Sequence, residues 1–202
     1  MGNHTIETAL YHVCEMLEER HENTAEMRNE LDAMEDWGVY LGKLMQHETD
    51  KTIIYTALSK TILKTLTAKT DSSYFDIEES SAKKHFMLIV ADSKMLTAAN
   101  NQLFQQLDKQ LHGQGGGLQI FTLKELQYNP SKHVLVPKHE KVAEGDIKDI
   151  LVKYQVKTKA QLPVIMKTDM MARWLGLKHG DIVRITRHNG NSGTYFYYRC
   201  CV

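Results

Sequence analysis

Three clusters in the 202-residue chain carry residue types that could do chemistry. The first is Asp92-Ser93-Lys94, directly after the apolar run Phe86 to Ala91. An acid with a lysine two residues on, at a strand end, is one fragment of a metal-dependent nuclease site, in which carboxylates hold the metal and the lysine orients a water. Such a site also needs an earlier Asp and a Glu on neighbouring elements, and no convincing set stands out upstream. Helix N-capping by Asp92 or Ser93 explains the same residues. The second cluster, Gly113-Gln114-Gly115-Gly116-Gly117, has the composition of a phosphate loop. It follows a helical pattern and precedes a strand pattern, the reverse of what a phosphate cradle requires, so it reads as a helix stop. The third, Tyr195-Phe196-Tyr197-Tyr198-Arg199, could stack nucleic-acid bases. Four successive aromatics on one strand face both sides of a sheet, and Tyr and Arg favour buried interface centres, so a protein interface is the better reading.

Cofactor chemistry finds little support. Cys14, Cys200 and Cys201 are an odd count without a Cys-x-x-Cys, and two are adjacent, a spacing that strains a disulfide. The ten His show no paired metal-ligand spacing. No metal and no cofactor are assigned, and a reducing intracellular compartment fits. The longest clean apolar run is six residues, too short to span a membrane, and the first residues through Glu7 lack the apolar core of a secretory signal. Composition is that of an ordinary globular protein, 42% apolar and 25% charged. The net charge of zero is unevenly spread: residues 130–202 hold 13 Lys and Arg against 6 Asp and Glu, whereas residues 1–129 hold 12 against 19. The basic half could face nucleic acid or an acidic protein surface, and charge alone does not choose.

The elements that must position these residues follow from periodicity. Residues 5–19 read as an amphipathic helix with Ile6, Leu10, Val13, Cys14 and Leu17 on one face and Thr5 as N-cap. Asn23 with Glu26 resembles a capping arrangement for a second helix carrying Met27, Leu31, Met34 and Leu41, ended or distorted by Gly38 and Gly42. Thr52 to Leu58 is strand-like, Ile62, Leu63 and Leu66 could line a helix, and Ser72 to Ser81, with Tyr74, Phe75 and Ile77, reads as a loop with at most one short strand. His85 to Ala91, Ser93 to Leu111 and Leu118 to Leu123 form a strand–helix–strand unit with parallel strands. Pro130 and Pro137 make 129–139 an extended connector. Beyond it come a helix from Asp146 to Tyr154, an extended segment Gln161 to Met166 held to a sheet edge by Pro163, a helix capped by Asp169 and stopped by Gly176, a turn at Gly180-Asp181, and a terminal hairpin from Ile182 to Arg187 and Thr194 to Val202.

Residues 133–202 resemble a known family, the fifth subunit of eukaryotic nuclear RNA polymerases together with its archaeal counterpart. The matching residues are His133, Leu135-Val136-Pro137-Lys138-His139, Leu151, Lys153-Tyr154, Gln161-Leu162-Pro163, Asp169, Ala172, Leu175-Gly176-Leu177-Lys178, Gly180, Val183, Ile185, Arg187, Ser192-Gly193, Tyr195 and Tyr198-Arg199, in order and spacing. The resemblance extends more weakly back to about His85. It implies an α/β (α+β) chain with an N-terminal, degenerate nuclease-like α/β jaw domain over 1–129 and a small mixed α/β assembly domain over 130–202. It implies a non-catalytic subunit that docks on the largest polymerase subunit and its small neighbours and helps form the lower jaw near downstream DNA, with no membrane contact and no homo-oligomer.

By the same resemblance, the partner interface comprises Pro137, Lys138, His139, Gln161, Leu162, Pro163, Gly176, Gly180, Tyr195, Tyr198 and Arg199, and Lys94, Thr97 and Asn100 lie near DNA. This chain has Asp169-Met170 where the family usually has Asp-Pro, and Leu96-Thr97-Ala98-Ala99 where the family carries Thr-Pro-Ser-Ala. Such drift fits a divergent version encoded by a large DNA virus, which would place the protein in host cytoplasm and virion; a cellular version would be nuclear. The alternative is a stand-alone basic nucleic-acid-binding module.

Overall fold

A computed structural model describes residues 3–68, 75, 85–190 and 193–202, which divide into two units, Met1–Tyr128 and Asn129–Val202. Both mix helix and sheet, in keeping with the α/β (α+β) class. The loop expected over Ser72 to Ser81 lies outside the described residues except for Phe75, as does Ser192.

The first unit runs α1 (Asn3–Glu19), α2 (Ala25–Asp32), α3 (Val39–Gly42), β1 (Met45–Glu48), β2 (Thr52–Ala57), α4 (Lys60–Ala68), β3 (His85–Val90), α5 (Ala98–Gly113) and β4 (Gly117–Thr122). The strands lie in the order β1-β2-β3-β4, with β1 antiparallel to β2 and the other neighbours parallel. Phe86 to Val90 are all buried, the continuous burial of a strand covered on both faces. The apolar face of α1 is where its periodicity puts it: Ile6, Leu10, Val13, Cys14 and Leu17 are fully buried.

Several local expectations are corrected. α1 begins at Asn3, so Thr5 sits inside the helix and does not cap it. The second helix stops at Asp32, well before Gly38, and Val39–Gly42 is a separate turn of helix. The helix expected from Ser93 to Leu111 is two pieces, a 3-10 turn at Ser93–Met95 and α5, because Thr97 takes up extended backbone and its hydroxyl accepts the N–H of Asn100. Glycine's role at residues 113–117 is as expected: α5 ends at Gly113, and Gly115 adopts φ 82°.

Two buried polar arrangements hold β1 and β2. Thr49 Oγ1 and Thr52 Oγ1 donate to the two carboxylate oxygens of buried Glu22, at 2.7 and 3.0 Å. His47, buried on an otherwise polar strand, bonds Glu30 Oε2 through Nδ1 at 2.8 Å and Tyr40 Oη through Nε2 at 2.6 Å. A carboxylate can only accept, so Nδ1 carries the proton and Tyr40 donates to Nε2. Burial, with Glu30 nearby, pushes the Tyr40 phenol well above its usual range and keeps it a donor.

The second unit runs β5 (Lys138–Lys141), α6 (Ile147–Lys153), β6 (Val164–Ile165), α7 (Met170–Trp174), β7 (Ile182–Asn189) and β8 (Gly193–Cys201), with strand order β5-β7-β8-β6. The stretch 129–139 is no simple extended connector. Asn129 Oδ1 accepts the N–H of Ser131, a 3-10 turn covers Pro130–Lys132, and Lys138 already pairs in the sheet. Gln161 is likewise not extended: it closes the 3-10 turn Lys159–Gln161, its side chain taking the backbone N–H of Thr158 in a capping box.

The remaining local signals act as expected. Asp169 Oδ1 accepts Met171 N–H at 2.8 Å, and Gly176 ends α7 at φ 63°, the left-handed region that a side chain would strain. Pro163 precedes the short edge strand β6 and gives its carbonyl to Cys200 N–H. One face of the sheet buries Ile182 and Cys200 with Val142, Ile147 and Leu162. Val183 and Ile185, on the other face, are buried as well, so β7 is covered on both sides at its start.

The Glu22 cradle yields a direct expectation. Glu22→Ala removes the carboxylate that both buried hydroxyls share, leaving Thr49 only the Thr52 carbonyl, and should lower the unfolding free energy by about 1–3 kcal/mol. A denaturant midpoint equal to that of the unaltered chain would contradict it.

Candidate docking interface

The register of the β7–β8 hairpin sorts the candidate residues. Ile182 lies opposite Cys200, Arg184 opposite Tyr198, Ile185 opposite Tyr197 and Arg187 opposite Tyr195, while β5 sets Glu140 beside Arg184 and His139 beside Ile185. Directly opposed residues share a face and neighbours along a strand alternate. Tyr198, Arg184, Glu140, Lys138 and Phe196 therefore lie on one face, and Tyr195, Tyr197, Arg199, Arg187 and His139 on the other.

The first face is internally satisfied. Glu140 receives Lys138 Nζ at 2.8 Å and Arg184 Nη2 at 2.9 Å, and these bonds hold its carboxyl below the usual range. Arg184 lies 5.2 Å from the Phe196 ring centroid, a cation–π distance. Tyr198 packs edge-on against Tyr154 at 5.3 Å. Between α6 and this face runs an open groove of about 430 Å³, floored by Val142, Ile150 and Tyr198 and rimmed by Asp146, Asp149 and Lys153.

The second face is not satisfied. Arg187 and Arg199 lie 5.3 and 5.5 Å from the centroid of the same Tyr197 ring. Among the described residues neither guanidinium has a carboxylate at ion-pair distance. Arg199 Nη1 reaches the Val164 carbonyl at 3.4 Å, and its Nε is buried without a hydrogen-bond partner among the described residues. His139 Nδ1 donates to the Pro137 carbonyl at 2.6 Å, so the titrating nitrogen is Nε2. Burial depresses the imidazole pKa, with Arg199 and Arg187 adding to the depression and Asp169 opposing it.

The other residues inferred from the sequence serve different ends. Leu162 is 7% exposed and belongs to the core, so it offers no surface to a partner. Gly176 and Gly180 adopt φ 63° and 84° and shape turns; Gly180 also donates its N–H to Cys201 and accepts Lys159 Nζ. Gln161 and Pro163 are exposed beside β6. Arg187, Tyr197 and Glu140 were absent from the inferred interface. The alternation of β7 and β8 could have supplied the first two, since they share a face with Arg199.

In the first unit, Lys94 is exposed in the 3-10 turn, Thr97 caps α5 and Asn100 lies in its first turn. The carboxylate of Asp92 accepts Lys94 N–H and Ser93 Oγ, bonds that lower its pKa and explain it as a cap. Among the described residues, no three His, Cys, Asp or Glu side chains converge as a metal-ligand set.

Comparison with known proteins places this second unit among subunits of DNA-directed RNA polymerase. Residues 128–201 match the family model described as RNA polymerase Rpb5, C-terminal domain. The chain is 45% identical over 76 residues to DNA-directed RNA polymerase subunit Rpo5 of Pyrococcus horikoshii, which covers 38% of this chain and 92% of the relative. The same figures hold for Rpo5 of Pyrococcus abyssi. A Dictyostelium discoideum protein, DNA-directed RNA polymerases I, II, and III subunit rpabc1, is 39% identical over 85 residues, 42% of this chain and 43% of the relative. The chain belongs to the family of the fifth RNA polymerase subunit.

The depressed His139 pKa links this surface to stability. The unfolded chain protonates this imidazole near pH 6.5, whereas the folded unit resists protonation to lower pH. The second unit therefore keeps its full His139 contribution above that pH and loses it as pH falls through the folded value. Urea midpoints followed by the buried Trp174 should drop between pH 7.5 and 5.5 by less in His139→Gln than in the unaltered chain. Equal drops would contradict this assignment.

Proposed function

We propose that the chain is a non-catalytic structural subunit of a multisubunit DNA-directed RNA polymerase, docking on the largest subunit and neighbouring small subunits through Asn129–Val202. One observation carries this reading: the family model matches residues 128–201, nearly the whole of the second unit, and the archaeal polymerase subunits match this chain over 92% of their own length. What such relatives share with the chain is thus a single folded piece. The exposed and half-buried candidates Pro137, Lys138, His139, Gln161, Pro163, Tyr195, Tyr198 and Arg199 then supply the contacts, while Leu162, Gly176 and Gly180 hold the strands and turns that present them.

The first unit would contribute to the lower jaw near downstream DNA, with Lys94, Thr97 and Asn100 closest to it. The exposed lysine beside the start of α5 supports that role. Work of this kind belongs inside the cell, in the nucleus for a cellular polymerase and in host cytoplasm and virion for a viral one. A stand-alone nucleic-acid-binding module is less well supported. Lys138, Lys141 and Arg184 are already paired with Glu140 and Asp181, which shrinks the basic surface open to a polyanion.

Affinity purification of the tagged chain from its own source, with identification of the co-purifying chains, is the test. Polymerase subunits in constant proportion are the expected outcome, and recovery of the chain alone would overturn the proposal. Within such a complex, Lys94→Glu should reduce cross-linking of the chain to downstream DNA several-fold without changing incorporation. Unchanged cross-linking would remove Lys94 from the DNA-proximal set.

A further inference from the structure

We propose that the face carrying Arg187, Tyr197 and Arg199 receives an acidic, carboxylate-bearing segment of a protein partner. This rests on the docking role above and names the chemistry of what docks there. Three observations converge on it.

The first is an imbalance between the two faces of one sheet. On the Arg184 side Lys138 and Arg184 each pair within the unit, one with each carboxylate oxygen of Glu140. On the opposite side two guanidiniums converge on one tyrosine ring, and among the described residues no carboxylate answers either of them. The nearby Asp169 is committed to capping α7 through Met171 N–H.

The second is the Arg199 Nε, buried and without a hydrogen-bond partner among the described residues. An unpaired buried donor is destabilising, and a guanidinium already desolvated at Nε gains from a carboxylate that takes its Nη edge in a bidentate fork. Tyr197 holds the plane of both arginines in place, so little side-chain freedom remains to be lost when an acid binds.

The third is the setting. Arg199 touches the carbonyl of Val164 on edge strand β6, and the Tyr195 ring, on the same face of the sheet as Arg199, is 41% exposed. Aromatic surface beside the cationic site is covered by a protein segment; a hydrated phosphate backbone leaves it in water. An extended segment with acids at alternate positions presents two carboxylates on one side, about 7 Å apart, which suits a pair of arginines sharing one ring.

The test uses the full chain, tagged and co-expressed with the largest polymerase subunit, in three forms: unaltered, Arg187→Gln with Arg199→Gln, and Arg187→Lys with Arg199→Lys. Thermal unfolding confirms that each form is folded before capture is compared at low and high ionic strength. The glutamine pair should lose roughly tenfold or more in retained partner. The lysine pair should retain the partner at low salt and release it at high salt, because a point charge survives while the fork is lost. Retention of the glutamine pair at the unaltered level would overturn the inference and leave the docking role standing. Failure to retain the partner even with the unaltered chain would overturn both. A parallel titration with single- and double-stranded DNA oligonucleotides provides the other arm. DNA binding abolished by the glutamine pair, with partner retention unchanged, would assign the face to nucleic acid and overturn the inference.

Discussion

The β7–β8 ladder, in register from Ile182 opposite Cys200 to Asn189 opposite Gly193, is the constraint on which the second unit depends. Its other strands attach to this hairpin, β5 along β7 and β6 along β8. Because side chains alternate, this register alone decides that Arg184 faces Glu140 and Tyr198 while Arg187 and Arg199 share Tyr197. A slip of one residue would exchange the two faces and move Ile182 and Cys200 out of the core. The buried ends of both strands resist such a slip. Gly180 at φ 84° and the Cys201–Asp181 backbone bond fix where the hairpin starts.

Charge in this unit is organised rather than merely abundant. Two lysines and one arginine are paired with Glu140 and Asp181, whereas Arg187 and Arg199, together on one face of the sheet, have no carboxylate at ion-pair distance among the described residues. Such pairing favours the proposed docking role over a general polyanion binder, whose basic groups would lie open along a groove. The depressed pKa of His139 comes first from burial, with Arg199 and Arg187 adding to it. A partly buried imidazole beside two arginines stays neutral near physiological pH and adds no further repulsion.

Much of this was legible in the chain itself, wherever a local signal and the tertiary structure agreed. The apolar strand His85 to Val90, the Asp169 cap, the Gly176 stop and the edge position of Pro163 all rest on backbone rules that tertiary context leaves intact. The elements that went unread lack such signals. β1, Met-Gln-His-Glu, and β5, Lys-His-Glu-Lys, have no apolar alternation; they are strands because β2 and β7 offer them hydrogen bonds. The break at Leu96-Thr97 was hidden because the helical periodicity continues across it, and only the Thr97 cap geometry interrupts the chain. On the proposed docking face, Arg199 and Tyr195 are among the residues that the resemblance implies, whereas the approach of Arg187 to Tyr197 exists only once the register is known.

The central claim is that assembly rests on Asn129–Val202. Hydrogen–deuterium exchange of the full chain, free and within the purified polymerase, addresses it most directly. Expected on assembly is added protection over 137–141, 163–166, 184–188 and 194–200, with α1 to α4 little changed. Protection confined to residues before Asn129, with the second unit exchanging as it does in the free chain, would contradict it.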